Sequence, residues 1–286
     1  MNSIKRSIET TLDISPVCPV SELEKLSHAL TYINILSAKL DRDAGLSCEE
    51  STLPLLTEKL GAVPLLTVSC TFPETAHRLF TDNDTRESFL ADLLVYLKTG
   101  GYRGVNFAFL RLFPFDRDIF TLFLKKCVEV LHNESYSVGI ILTPPCALSL
   151  SAANDYEAQG QFPDRVNFLL SGCLYNKGCF QCRPNDVELS ETLEFAKNTV
   201  PAGKLAVTIA DHGLVPAGKG ELQIVPMRLA RIYPGAGAEF EDAQSYERLF
   251  EKIMTYGVSG ISIRPYSRAD EMIFDVLSEN YDILRL

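Results

Sequence analysis

The chain has 286 residues, of which 46% are hydrophobic and 22% charged, and its formal net charge is −10. This hydrophobic share excludes a disordered chain, and no apolar run is long enough to span a membrane. The 37 Asp and Glu exceed the 27 Lys and Arg, which argues against nucleic acid as a partner because phosphate binding relies on clustered positive charge. The absence of Trp also makes the binding of a sugar ring by stacking less favourable.

The N-terminal segment indicates where the protein works. Lys5 and Arg6 are not followed by an apolar stretch, so no secretory signal is predicted. A cytoplasmic location is therefore expected, with spore association as a further option. Eight Cys residues are many for such a protein, but a chain of this size does not need disulfides to fold. Reduced thiols are expected.

Apolar runs of strand length alternate with amphipathic segments from one end of the chain to the other. The runs are nearly continuous, as in parallel strands that are covered on both faces. The predicted strands are Leu12–Val17, Thr31–Ser37, Val63–Ser69, Gly104–Leu110, Val138–Thr143, Val166–Cys173, Leu205–Ala210 and Gly260–Ile263. Eight alternations without a polar linker predict an α/β fold, a single (β/α)8 TIM barrel domain over residues 1–286. Chemistry in such a barrel lies at the carboxyl ends of the strands.

The fourth predicted strand carries a resemblance to a known family. Residues 101–110 read GYRGVNFAFL and are followed by PFDR at 114–117. This segment resembles the fourth strand of glycoside hydrolase family 18, in particular the branch of spore-germination and cortex-lytic proteins. Further matches follow in the same order at LTYIN (30–34), GAVPLL (61–66) and YGVSGIS (256–262). The resemblance implies a barrel whose relatives hydrolyse glycans of N-acetylhexosamine.

The catalytic positions of that fourth strand are changed in this chain. In the family, carboxylates alternate along the strand and end in a Glu that protonates the glycosidic oxygen, while the substrate's acetamido group is the nucleophile. The matching positions here are Arg103, Asn106, Ala108 and Leu110. Since a positioned acid is worth about 10²–10⁴ in rate, the resemblance implies a degenerate motif with no catalytic residue. Arg103, which precedes the strand, is expected on the surface.

Other positions that face the mouth in the family also differ. Tyr175 is one place out of register in the sixth strand, and Asp211-His212 replaces a Tyr in the seventh. Arg264 replaces the Trp that forms the floor of a sugar subsite, and it either binds an anionic group or pairs with Asp211 or a similar carboxylate. The candidate ligand-binding residues are Asn106, Tyr175, Asp211, His212, Arg264 and Tyr266.

Cysteine residues collect near the predicted strand ends. Cys179-Phe-Gln-Cys182 follows the sixth strand, and two thiolates so spaced can form half of a tetrahedral zinc site. The candidate zinc ligands are Cys173, Cys179, Cys182 and His212. A disulfide and ordinary reduced thiols are the alternatives, and the reduced state is favoured because free Cys is often buried simply as a small hydrophobic residue. No cofactor is otherwise expected.

Three functions remain open from the sequence. The leading hypothesis is a pseudoenzyme that keeps a scaffold or binding role toward spore or cell-wall glycan, with a glycan or peptidoglycan fragment as its partner. The second is a thiol- or metal-dependent enzyme built at the barrel mouth from Cys70, Cys146, Cys173, Cys179, Cys182 and His212. The third is a residual glycosidase whose acid has moved to Asp211 or Glu74.

Overall fold

Eight parallel strands close into a barrel in the computed structural model. The model describes residues 5–145, 152–170, 175–176, 179–180, 186–218, 221–265 and 268–286. The strands are β1 (Ser7–Ile14), β2 (Tyr32–Leu40), β3 (Leu46–Cys48), β4 (Val63–Ser69), β5 (Gly104–Ala108), β6 (Ser137–Leu142), β7 (Arg165–Leu169), β8 (Tyr175–Asn176), β9 (Cys179–Phe180), β10 (Leu205–Gly218), β11 (Glu221–Pro226), β12 (Gly260–Pro265) and β13 (Asp282–Ile283). The barrel runs β1, β2, β4, β5, β6, β7, β10, β12 and closes from β12 back to β1. The predicted (β/α)8 barrel is confirmed.

Helices cover the outside of the barrel. They are α1 (Val20–Leu26), α2 (Leu53–Lys59), α3 (Pro73–Thr81), α4 (Asn83–Gly100), α5 (Arg117–Asn133), α6 (Tyr156–Gln161), α7 (Asp186–Thr199), α8 (Met227–Arg231), α9 (Ala243–Thr255) and α10 (Glu271–Asn280). Within the described ranges, none of these helices combines the length and the apolar composition that crossing a membrane requires.

The first strand lies further toward the N-terminus than predicted. It spans Ser7–Ile14, whereas the apolar pattern predicted Leu12–Val17. Alternate side chains of a barrel strand face the lumen. In β1 these side chains are Glu9, Thr11 and Asp13, and because they are polar the sequence lacks the apolar run expected of a buried strand. The expectation of nearly continuous apolar strands was therefore wrong at this point.

The apolar core lies between the strands and the helices. Outward-facing side chains such as Leu66, Val105 and Phe107 are fully buried in it, together with Leu93 and Leu97 of α4. The lumen is mainly polar, and its buried polar side chains include Asp13, Asn34, Thr67, Asn106, Asn167 and Thr208. The apolar burial that drives folding is consequently concentrated in the outer layer.

An ion pair closes the amino end of the lumen. Arg165 on β7 donates to Glu9 on β1, with Nε 2.9 Å from Oε2. The guanidinium also stacks on Tyr32 of β2, 3.3 Å from the ring centroid. Gly260 lies beside this pair, and a Cβ there would be 3.2 Å from the Cβ of Glu9. The site must therefore lie at the other end of the barrel.

Strand β10 continues beyond the barrel as a hairpin. From His212 onward it pairs with β11 in antiparallel fashion, and α8 follows directly. This hairpin and α8 make up the insertion between the seventh and eighth barrel strands. They extend the barrel at the carboxyl ends of the strands, next to the expected site.

Candidate functional site

The fourth barrel strand, β5, places Asn106 and Ala108 on the inward face. Asn106 is 1% exposed, and among the described residues neither its Oδ1 nor its Nδ2 has a hydrogen-bond partner. Gly139 of β6 lies opposite, and a Cβ at that position would be 2.8 Å from the Oδ1 of Asn106. The amide is thus held in the lumen by shape rather than by hydrogen bonds.

An apolar cluster occupies the mouth above Asn106. Ala108 packs with Ile141 of β6 and Leu169 of β7, and the partly buried Leu110 rests against them just beyond the end of β5. None of these side chains can hold or release a proton. The end of the fourth barrel strand therefore presents hydrocarbon to this side of the mouth.

Arg264 lies at the end of β12 and pairs with a carboxylate that the sequence analysis did not single out. Its Nε donates to Oδ2 of Asp13 at 2.8 Å. The other oxygen of Asp13 accepts from Asn34 Nδ2 at 2.8 Å and Ser262 Oγ at 3.5 Å. Of the two options for this arginine, pairing with a carboxylate is what the structure shows, but the partner is Asp13 rather than Asp211.

A cavity of about 280 Å³ adjoins this pair. It lies between the carboxyl ends of β1 and β12 and the start of α1. The residues lining it include Asp13, Ile14, Val17, Cys18, Glu22, Leu36, Arg264 and Arg268. The described part of the mouth is therefore filled above β5 to β7 and open beside β1 and β12.

Asp211 does not line the mouth, which corrects the sequence-based expectation. It follows the inward-facing Ala210 on β10, so its side chain points outward into the layer below α9. There it is 0% exposed and accepts hydrogen bonds from Tyr246 Oη at 3.3 Å and from the backbone N–H of Asp270 at 2.6 Å. Burial raises the pKa of Asp211 from 3.8 to about 6. Such a pKa suits a general acid, but a buried group on the outer face cannot reach a substrate in the mouth.

His212 follows on the opposite face of β10. Alternation puts it on the same side as Ala210, toward the mouth, where it is half-buried. Burial lowers the pKa of His212 and so favours its neutral form. It remains a candidate ligand-binding residue.

Two further residues lie outside the cavity beside Arg264. Glu74 is exposed in the first turn of α3 and lines none of the cavity beside Arg264. Arg103 is exposed at the amino end of β5 and forms an ion pair with Glu58 of α2, which confirms its predicted surface position. Of the two acids that the third hypothesis names, Asp211 is buried on the outer face of β10, and a catalytic role of Glu74 stays a prediction.

Cys18, Cys48, Cys70 and Cys127 are free thiols. Cys70 is buried, and burial raises its pKa to about 11; the same cause raises the pKa of Cys18 to about 11. Both are therefore protonated at pH 7, whereas a nucleophilic Cys needs a lowered pKa. Cys70 does not support the second hypothesis.

Several predicted site residues lie outside the described residues. These are Cys146, Cys173, Cys182 and Tyr266, and for Tyr175 and Cys179 the structure describes only the backbone, in the β8–β9 hairpin. Zinc binding by Cys173, Cys179, Cys182 and His212 stays a prediction for that reason.

Asp13 and the pair formed by Glu9 and Arg165 are the residues that the sequence analysis missed. A signal for β1 was present, because Ile8, Leu12 and Ile14 alternate with Glu9 and Asp13. Alternation of this kind indicates a strand with one apolar face. The charged residues on its other face indicate that the lumen of the barrel is polar.

The chain is similar to known proteins along nearly its whole length. The cortical fragment-lytic enzyme of Bacillus subtilis (strain 168) is 24% identical over 333 aligned positions, which cover 98% of this chain and 76% of the relative. The spore cortex-lytic enzyme SleL of Bacillus cereus superposes with a TM-score of 0.85 at 22% identity, over 99% of this chain and 76% of that one.

The fold extends to chitinases. The GH18 chitinase ChiB of Flavobacterium johnsoniae superposes with a TM-score of 0.74 at 14% identity, over 98% of this chain and 96% of that one. No protein-family model matches the chain. The chain therefore shares the (β/α)8 fold of glycoside hydrolase family 18 chitinases and is similar in sequence and fold to the spore cortex-lytic enzymes, in agreement with the family resemblance.

Proposed function

We propose that this protein recognises glycan of the spore cortex or cell wall without hydrolysing it. One observation carries the proposal: Ala108 and Leu110, which the resemblance matches to the family's carboxylates, pack against Ile141 and Leu169. Hydrolysis in this family requires a general acid at the end of that strand. Leu110 supplies no proton, and Asp211 is buried on the outer face of β10.

The open side of the mouth supports a binding role. The mouth is open beside β1 and β12, and His212 presents its half-buried ring to the same end of the barrel. Relatives named as lytic enzymes of the cortex make cortex glycan the first ligand to test. They also favour a spore-forming cell as the setting, and the cytoplasmic location stays a prediction.

The test measures binding and hydrolysis in the same samples. Purified protein is incubated with insoluble cortex peptidoglycan and, separately, with chitin oligosaccharides. We expect the protein to sediment with the cortex material and mass spectrometry to detect no new glycan fragments. Hydrolysis that exceeds a heat-inactivated control and is lost in Asn106→Ala would overturn the proposal, as would a complete failure to bind either glycan.

A pair of histidine variants tests whether binding uses the mouth. His212→Ala removes a half-buried ring on the mouth side of β10, whereas His132→Ala removes a ring near the amino end of the barrel that pairs with Asp164. We expect less of the His212→Ala protein than of the wild type to sediment with the cortex material. The His132→Ala protein should sediment as the wild type does. Equal binding by both variants would place the glycan elsewhere on the surface.

A zinc-dependent enzyme is the alternative proposal. The lowered pKa of His212 favours the neutral imidazole that metals bind, and the Cys-x₂-Cys pair could supply thiolates. Elemental analysis of protein purified without chelator discriminates between the two proposals. About one zinc per chain, lost in Cys179→Ser, would support the alternative, and a metal-free protein would dismiss it.

A further inference from the structure

The cavity beside Arg264 combines an apolar wall with two ion pairs. Its volume is about 280 Å³, close to the lower end of the range for small-molecule sites. Its apolar lining includes Ile14, Val17, Leu23, Leu26, Leu36 and Ala269. The ion pairs join Arg264 to Asp13 and Arg268 to Glu22, each with a nitrogen 2.8 Å from an oxygen.

In both ion pairs the cation is the more exposed partner. The side chain of Arg264 is 27% exposed against 3% for Asp13, and that of Arg268 is 56% exposed against 22% for Glu22. The negative charges thus lie behind the positive ones. A ligand entering the cavity meets guanidinium groups first, although the four charges sum to zero.

Arg264 has hydrogen-bond donors to spare. Its Nε is used by Asp13, and within the part of the chain that the structure describes, no hydrogen bond from its two terminal nitrogens is found. A guanidinium edge with two parallel donors matches the two oxygens of a carboxylate. Asp13 fixes the orientation of this edge, because Asn34 and Ser262 hold the carboxylate of Asp13 in turn.

We propose that this cavity binds a small monocarboxylate with an apolar tail. The carboxylate accepts from the terminal nitrogens of Arg264, and the tail packs against Val17, Leu23 and Leu36. The described lining includes no aromatic ring on which a sugar could stack. The site therefore goes beyond the proposed function and does not depend on it. A free aliphatic acid and the carboxyl terminus of a short peptide share this chemistry.

Calorimetric titration of the intact protein tests the proposal. Hexanoate represents a free aliphatic acid and N-acetyl-leucine a peptide terminus, and the uncharged hexanamide and N-acetyl-leucinamide are their matched controls. We expect at least one acid to bind and its amide to bind about tenfold more weakly or not at all, because the charge-assisted hydrogen bonds are lost. Binding of hexanoate identifies a free aliphatic acid as the ligand, and binding of N-acetyl-leucine identifies the carboxyl terminus of a peptide. No binding of either acid, or equal binding of acid and amide, overturns the proposal.

Two variants locate the bound acid. Arg264→Gln is expected to reduce the affinity about tenfold or more, whereas Arg103→Gln, which changes an exposed arginine at the other end of the barrel, leaves it unchanged. Because Arg264→Gln also leaves Asp13 without its cation, Leu36→Glu provides a second variant that spares this ion pair. Leu36 is 42% exposed on the cavity wall, so a carboxylate there repels the ligand without burial, and Leu36→Gln is its matched control. Wild-type affinity in a folded Arg264→Gln and in Leu36→Glu contradicts the assignment.

Discussion

Arg165 on β7 and Glu9 on β1 form an ion pair across the amino end of the barrel, with Nε 2.9 Å from Oε2. Burial lowers the pKa of Arg165, and the negative charge of Glu9 opposes this effect. Tyr32 covers the guanidinium from one side. This pair closes the lumen at the end opposite the site.

Glu9→Gln should destabilise the fold, because it leaves Arg165 buried without a counter-charge. We expect the free energy of unfolding to fall by about 3 kcal/mol, as measured by urea denaturation. The matched control is Arg103→Gln, which breaks the exposed pair with Glu58 and should cost no more than about 1 kcal/mol. Equal losses in the two variants would mean that the barrel end is hydrated.

The buried carboxyl of Asp211 should make stability fall as the pH rises. Its pKa is about 6 in the folded protein and 3.8 ordinarily, so the folded state holds this proton more tightly than the unfolded state. The stabilisation is complete below about pH 4 and is lost as the pH passes about 6. Asp211→Asn should match the wild type at pH 4 and exceed it at pH 7 by about 2 kcal/mol in the free energy of unfolding.

Thermal unfolding at both pH values measures this difference. The groups facing Asp211 are Tyr246, the backbone of Asp270 and, further away, Arg231. Asp43→Asn, at a side chain that is 91% exposed, serves as the control and should show no pH-dependent difference. A constant difference between Asp211→Asn and the wild type from pH 4 to 7 would contradict the raised pKa.

Leu110→Glu restores the residue type of the family's general acid but should not restore hydrolysis. Ala108 and Asn106 still lack the carboxylates that accompany it. The new carboxyl lies against Ala108, Ile141 and Leu169, so we expect a loss of about 2 kcal/mol at pH 7 and a smaller loss at pH 4, where the group is neutral.

Chemical denaturation at the two pH values and a glycan assay test this variant. Leu122→Glu on α5 is the matched control, since Leu122 is 66% exposed and its replacement should cost about 0.5 kcal/mol or less. Glycan cleavage by Leu110→Glu would show that the rest of the site is still competent and that one substitution inactivated it.

Gly139→Ala should be destabilising because of Asn106. The added Cβ would lie 2.8 Å from the Oδ1 of Asn106, and overpacking of this kind costs about 1–3 kcal/mol. In an Asn106→Ala background the obstacle is absent, so the same change should cost about 1 kcal/mol less. A double-mutant cycle by urea denaturation measures the coupling free energy between positions 139 and 106. If Gly139→Ala lowers the free energy of unfolding equally in both backgrounds, the contact between the new Cβ and Asn106 is excluded.

The sequence was sufficient to predict the architecture, since every barrel strand overlaps a predicted apolar run. It misplaced β1 because Glu9 and Asp13 face the lumen and break the apolar pattern. For the site, the match of Ala108 and Leu110 to the family's carboxylates comes from a family pattern and stays a prediction. The partner of Arg264 could not be predicted from the sequence, because Asp13 and Arg264 are 251 positions apart in the chain and meet only when β12 closes on β1.

The separation between an apolar outer layer and a polar lumen has a consequence for how this fold can change. Substitutions on the inward faces of the strands alter what the barrel holds while leaving the apolar burial of the outer layer in place, because the apolar core lies outside the strands. Asn106 shows this tolerance, since its amide is buried among the described residues without a partner and the barrel still closes. A barrel built in this way can lose one chemistry and acquire another ligand through a handful of inward residues.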